Sequence, residues 1–220
     1  MAYKPEHAVD LDTGAIVAAE IHSADAGDTA TLSGTLAAAE ANLDAVGKAP
    51  TQDAPAECVA DKGYHSRDML KTLDRSIWKT RIAEPQRQTV SRWHGDTAAR
   101  SAVYANRSRL RSETGKEAMR RRGERVERSF AHTLERGGLR RTWRRGRENV
   151  HKRYLIHVAG HNLGLLMRLL IGAGTPREAA ARSQVWLFVL LTPHAATIGI
   201  GIADEDHTLV LFALIAAEPH

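Results

Sequence analysis

The sequence predicts an α/β domain, a mixed sheet flanked by helices, followed by a small C-terminal appendage. Three observations carry this. Two short alternating runs, His7–Asp12 and Ala15–His22, flank Thr13-Gly14 and precede a stretch of helical periodicity. An apolar run, Cys58-Val59-Ala60, ends in Asp61 and is followed by a second helix-like segment and another short apolar run. Two longer helical patterns then close the domain.

The first two runs read as a β-hairpin, with Gly14 free to adopt the turn. Residues 23–29 form a loop, and Asp28 or Thr29 is placed to cap the next helix by accepting from its unpaired N–H groups. That helix spans about 30–46, with Leu32, Leu36, Ala39, Leu43 and Val46 on one face and Gly47 as its stop. The Asp61 strand follows a polar loop, and Gly63 permits a sharp turn out of it. A helix over about 66–73 leads to a short strand at Ile77–Ile82, ended by Pro85.

Residues 86–112 show no periodic apolar pattern and read as an irregular crossover. From about 115 to 136 the chain is helical, with Met119, Gly123, Val126, Phe130 and Leu134 on the packing face. A basic loop carries Trp143. A helix over about 149–170 is apolar on more than one side near its end, which predicts deep burial. Gly172 to Pro176 is a break, so the division is 1–176 for the main domain and 177–220 for an apolar tail. Within the tail, Val185–Leu191 and Leu209–Ala217 could be a strand pair or a helical appendage.

At 220 residues and 43% hydrophobic, the chain can bury a full core. Its net charge of +5 is unevenly spread. Between Arg107 and Arg153 there are 17 Lys+Arg and 6 Asp+Glu, giving +11 and leaving about −6 elsewhere. Such segregation suits a polyanion, because neutralised phosphates release counterions. Arg121, Arg122, Arg125, Arg128, Arg144, Arg145 and Arg147 are the candidate nucleic-acid contacts, since a guanidinium grips phosphate oxygens bidentately. The alternative for such a run is a solvated helix face. A lone cysteine, Cys58, excludes an internal disulfide and a cysteine zinc cluster, and it fits a cytoplasmic protein. The expectation is that no segment spans a membrane.

Asp61 and Glu127 are the candidate acids. One ends a strand and the other sits on a helix that can pack across it. Paired carboxylates of this kind suit Mg²⁺ or Mn²⁺, hard ions that take oxygen ligands and keep sites for phosphate. Glu124, one helical turn away, is the competing choice for Glu127. His157 and His161 stand at i, i+4 but lack a glutamate between them in the zinc-protease pattern, so they read as core or capping histidines.

Several motifs together resemble a known family. Val59-Ala60-Asp61-Lys62-Gly63-Tyr64 resembles the ADxGY segment of bacterial insertion-sequence transposases of the DDE type. Gly123 to His132 resembles their R-x-x-V-E-R-x-F helix, Val9–Gly14 their early hairpin, and Arg144–Asn149 with His161–Gly164 the segment that closes the domain. The resemblance covers roughly 3–177. It implies an RNase H-like fold and divalent-metal-dependent cutting and rejoining of double-stranded DNA at transposon ends. It also implies metal-holding catalytic roles for Asp61 and Glu127, and pairing of two ends by a homodimer. In the RNase H-like order three strands precede the first helix, the first bearing another acid. Only two are visible here, so the expectation is a chain truncated at its N-terminus and impaired as a catalyst. Asp10 is the nearest stand-in for the first acid, and a turn residue is its plain reading. The alternative function is a DNA-binding remnant without chemistry, or a general nucleic-acid binder.

Overall fold

A computed structural model of the chain describes residues 2–86, 93–172, 174 and 211–214. Five strands form one sheet: β1 (Tyr3–Asp10), β2 (Ile16–Ser23), β3 (Ala56–Ala60), β4 (Trp78–Ile82) and β5 (Leu211–Leu214). Their order is β2-β1-β5-β3-β4. β1 is antiparallel to β2 and to β5, whereas β3 is parallel to β4 and to β5. The helices are α1 (Asp28–Asp44), α2 (Arg67–Asp74), α3 (Thr97–Arg111), α4 (Glu113–Phe130) and α5 (Arg147–Ile171). A π-helical turn, Ala131–Arg136, extends α4.

The period-2 alternation of the strands sorts the helices into two layers. Ala8, Cys58 and Ala60 belong to one core with Leu32, Leu36, Leu70 and Val103, under α1, α2 and α3. Val9 and Val59 belong to the other, with Val126, Phe130, Tyr154 and Val158 of α4 and α5. Leu32 is wholly buried, a burial that contributes about 2 kcal/mol. α2 starts where Ser66 Oγ accepts from Met69 N at 3.0 Å, a cap whose loss typically costs about 1 kcal/mol.

The hairpin, the Asp61 strand, the Ile77–Ile82 strand and four helices stand close to their expected places. β1 begins earlier, at Tyr3, because buried Lys4, Glu6 and His7 break the apolar alternation a reader looks for. Asp28 does not cap α1; it is the first helical residue, and Lys4 Nζ holds its carboxylate at 2.6 Å. Val46 lies beyond α1 and is exposed. The expected irregular crossover contains α3, whose buried face is Ala99, Ala102, Val103 and Asn106. These stand at helical spacing but are too small or too polar to register as an apolar stripe.

Two further expectations are corrected. α5 is not deeply buried at its end: Leu163, Leu166, Leu169, Leu170 and Ile171 are exposed among the described residues. By length and composition α5 is apolar enough to cross a bilayer, yet its Val150, Tyr154 and Val158 pack into the core. The tail is not wholly an appendage, because β5 enters the sheet between β1 and β3. Val185–Leu191, and Leu209–Ala217 outside β5, lie outside the described residues.

Candidate active site

β3 delivers Asp61 to the sheet edge. Cys58, Val59 and Ala60 are buried, and the chain then turns through a short 3₁₀ segment, Lys62–Tyr64. Asp61 caps that turn: its Oδ1 accepts from Lys62 N at 2.6 Å. Gly63 serves close approach rather than a positive φ: a Cβ there would meet the Asp28 carboxylate, which would have to turn aside. Tyr64 is 1% exposed, and burial, reinforced by Glu6, pushes its phenol well above the ordinary value.

α4 carries Glu127, the other acid candidate. Ser112 Oγ caps it by accepting from Gly115 N at 3.0 Å. The helix packs against β1, β3 and β5, with Val126 fully buried. Arg122 also lies on the inner side, only 7% exposed, and its Nη2 stands 3.6 Å from Asp61 Oδ2. Burial lowers the pKa of the guanidinium, while the charges of Asp61, Tyr64 and Glu127 raise it. Arg122 thus stands beside Asp61, and the charge of Glu127 reaches it more weakly. The Asp61 side chain remains 46% exposed and Glu127 is exposed, so both are open to solvent.

The other sequence candidates fall in separate places. Glu124 is taken by Arg128 at 2.8 Å. Asp10 holds the hairpin turn: its Oδ1 accepts from Asp12 N and its Oδ2 from Thr13 N and the Thr13 hydroxyl. Arg121 pairs with Asp12 at 2.8 Å, and Arg125 donates to the main-chain carbonyls of Leu11 and Asp12. Arg147 Nε donates to Ile21 O at 2.7 Å, while Arg144 and Arg145 are exposed in the basic loop. Trp143 is 76% exposed, with the Arg153 guanidinium 4.3 Å from its ring centroid. His161 is buried against Gly14 O. Sequence reasoning missed the inward turn of Arg122, since one arginine among many on a basic helix carries no burial signal.

Asp61 and Glu127 provide the oxygen donors that a hard divalent ion requires. Among the described residues, however, no group of three or more His, Cys, Asp or Glu side chains could hold a metal ion. Arg122 already sets one positive charge 3.6 Å from Asp61. The described residues therefore do not make a complete metal site.

A carboxylate after an interior strand, and a basic helix packed against that strand, sit on a mixed-sheet α/β domain. A family model described as a transposase DDE domain matches residues 1–163, and the chain belongs to that family. No curated protein and no solved structure gives a match. Membership makes the function transposition-related and DNA the substrate class, in a family that generally uses divalent metal ions.

Proposed function

We propose that this domain cleaves and joins double-stranded DNA at transposon ends, with Asp61 and Glu127 as its acids and weak activity in the chain as it stands. The observation that carries this reading is the contact between α4, which bears Glu127, and the end of β3, where Arg122 Nη2 stands 3.6 Å from Asp61 Oδ2. The sheet supports an RNase H-like fold, with an antiparallel β2-β1 half and a parallel β3-β4 half around a central strand. Here that central strand is β5. The run 208–217, Thr-Leu-Val-Leu-Phe-Ala-Leu-Ile-Ala-Ala, contains no carboxylate. The strand between the halves therefore brings no third acid, which is the physical ground for weak activity.

Mg²⁺ or Mn²⁺ would take Asp61 and Glu127 as ligands. Two carboxylates beside an arginine fall short of a complete site among the described residues. Arg121, Arg125, Arg128, Arg144, Arg145 and Arg147 are the phosphate contacts in this reading, with Arg122 serving the acid pair. Two copies would hold two DNA ends in the cytoplasm.

The test is selection of bound duplexes from a randomised DNA pool, followed by a nicking assay with Mn²⁺ on the selected sequence. Binding that weakens steeply with salt, an enriched end-like sequence and slow nicking abolished by Asp61→Asn or Glu127→Gln are expected. Failure to bind duplex DNA at low salt overturns the reading.

A further inference from the structure

Away from the acid pair, the hairpin turn, the end of α4, the π-helical turn and the middle of α5 enclose a cavity of about 310 Å³. Its polar walls are Arg125, Arg128, His132, Arg136, His161 and Arg168, and among the described residues no carboxylate lines it. The geometry is set by backbone features. Gly14, at φ +79°, turns the hairpin so that its carbonyl meets His161 Nε2 at 3.3 Å. The π-helical turn widens the helix at its wall, a distortion often found at functional sites. The His132 and His161 rings meet edge to face at 5.0 Å.

The arginines are held there largely without cancelling their charge. Arg125 donates to Leu11 O and Asp12 O, and Arg168 Nε donates to Gly164 O at 3.2 Å. Those partners are neutral carbonyls. Arg128 is offset by Glu124. Four guanidinium groups around one concavity concentrate positive potential in a low-dielectric wall. The histidines register it. Burial, then Arg136, His157 and Arg168, hold His132 below the ordinary imidazole value. Burial, then His132 and Arg168, lower His161, although the Gly14 carbonyl pushes the other way.

We propose that this cavity is a phosphate-binding site that seats a backbone phosphate of a bound nucleic-acid strand. The choice of a strand phosphate over a free anion rests on the DNA-binding reading above; the anion chemistry of the cavity does not. Planar guanidinium groups match tetrahedral oxyanions, and both imidazoles become added donors when protonated. The site brings in His132, Arg136, His161 and Arg168, four residues outside the arginine set read from the sequence.

Sulfate is the probe, because it keeps its double charge throughout the working pH range. Titrating it into the full chain should shift the His132 and His161 imidazole resonances saturably. Binding should tighten as pH falls from 7.5, because a bound dianion favours protonation of the two rings against the burial and neighbouring charges that lower their pKa values. Arg136→Gln with Arg168→Gln, both at exposed positions, should abolish the sulfate effect. The same pair should also reduce the slope of log K against log salt for duplex DNA by about one. Unmoved histidine resonances in the unaltered protein at saturating sulfate refute the site. Sulfate binding that is lost in the double variant while the DNA slope stays unchanged refutes the strand phosphate as its ligand. Neither sulfate measurement needs DNA, so failure of the DNA reading leaves a distinct signature.

Discussion

Arg122 Nη2 stands 3.6 Å from Asp61 Oδ2, the guanidinium side chain 9% exposed and the carboxylate 46%. A buried cation and a half-open acid behave differently when altered. The acid can be rehydrated; the guanidinium cannot without opening the core. Arg122 therefore serves two ends, neutralising the sheet edge and filling space under α4.

From this follows a prediction about cation binding. Arg122→Met keeps most of the side-chain volume and removes the charge. Its cost to stability should be about 1 kcal/mol, because Asp61 can turn to water. Affinity for Mn²⁺ should rise about tenfold, the order expected from removing one partly screened like charge. Water-proton relaxation with Mn²⁺ reads this directly. Unchanged affinity would mean that the guanidinium does not face the oxygens that bind the ion.

A second prediction concerns acid sensitivity. His7 is fully buried, its Nδ1 2.8 Å from Ser129 Oγ and its Nε2 2.7 Å from Tyr154 OH. Its ring stacks on Phe130 with centroids 4.2 Å apart. Burial, with His161 adding, pushes its pKa down from 6.5 to about 3. The folded state thus holds the ring neutral while the unfolded chain takes up a proton below pH 6.5. Stability contributed by this group is complete above that value and is lost progressively towards pH 3. The slope is about 1.4 kcal/mol per pH unit. Urea unfolding at pH 7.5, 6 and 5 should show it, and His7→Asn, uncharged throughout, should flatten it. An equal slope in the variant would place the acid sensitivity elsewhere.

The place of β5 gives a third. Ala213 pairs with Val9 on one side and Val59 on the other. Proline there removes a ladder donor in the middle of the sheet, a position proline rarely tolerates. Ala213→Pro should destabilise the fold by about 3 kcal/mol or more. It should also speed amide exchange at both β1 and β3, which do not pair with each other directly. The unaltered chain supplies an independent check: protection at 211–214 should match that of its neighbours. Free exchange there in a folded protein would remove β5 from the sheet.

Much of this architecture was legible because its elements carry ordinary signals. The Cys58–Ala60 run, the leucine face of α1 and the Val126–Phe130 face of α4 announce strand and helices by their periods. Other features were silent for physical reasons. α3 buries Ala99, Ala102, Val103 and Asn106, a face without bulk. Glu6 and His7 are polar and wholly buried, so β1 looks shorter than it is. At the candidate site, the strand ending at Asp61 and the helix carrying Glu127 were legible in the sequence, but the arginine beside Asp61 was not. The cationic cavity depends on a π-helical turn and a long-range contact between Gly14 and His161, neither of which has a sequence period.

Asn106 shows how a silent residue can be decisive. Among the described residues β4 is an edge strand, and its last residue, Ile82, has no strand there on the outer side to bond. Asn106 supplies the missing peptide: its Nδ2 donates to Ile82 O at 2.8 Å and its Oδ1 accepts from Ile82 N at 2.9 Å. Both partners are buried. Asn106→Leu matches the volume but leaves a donor and an acceptor of Ile82 unpaired, which should cost about 2–4 kcal/mol. Asn106→Asp keeps the acceptor and sets a carboxylate oxygen against Ile82 O, so it should be at least as damaging at pH 7.5. A protonated carboxyl regains the donor. The penalty of the aspartate variant relative to the unaltered chain should therefore shrink as pH falls towards 5, while that of the leucine variant stays constant. Parallel urea titrations at the two pH values separate the cases, and a pH-independent aspartate penalty would show that the Nδ2 bond to Ile82 O contributes little to the fold.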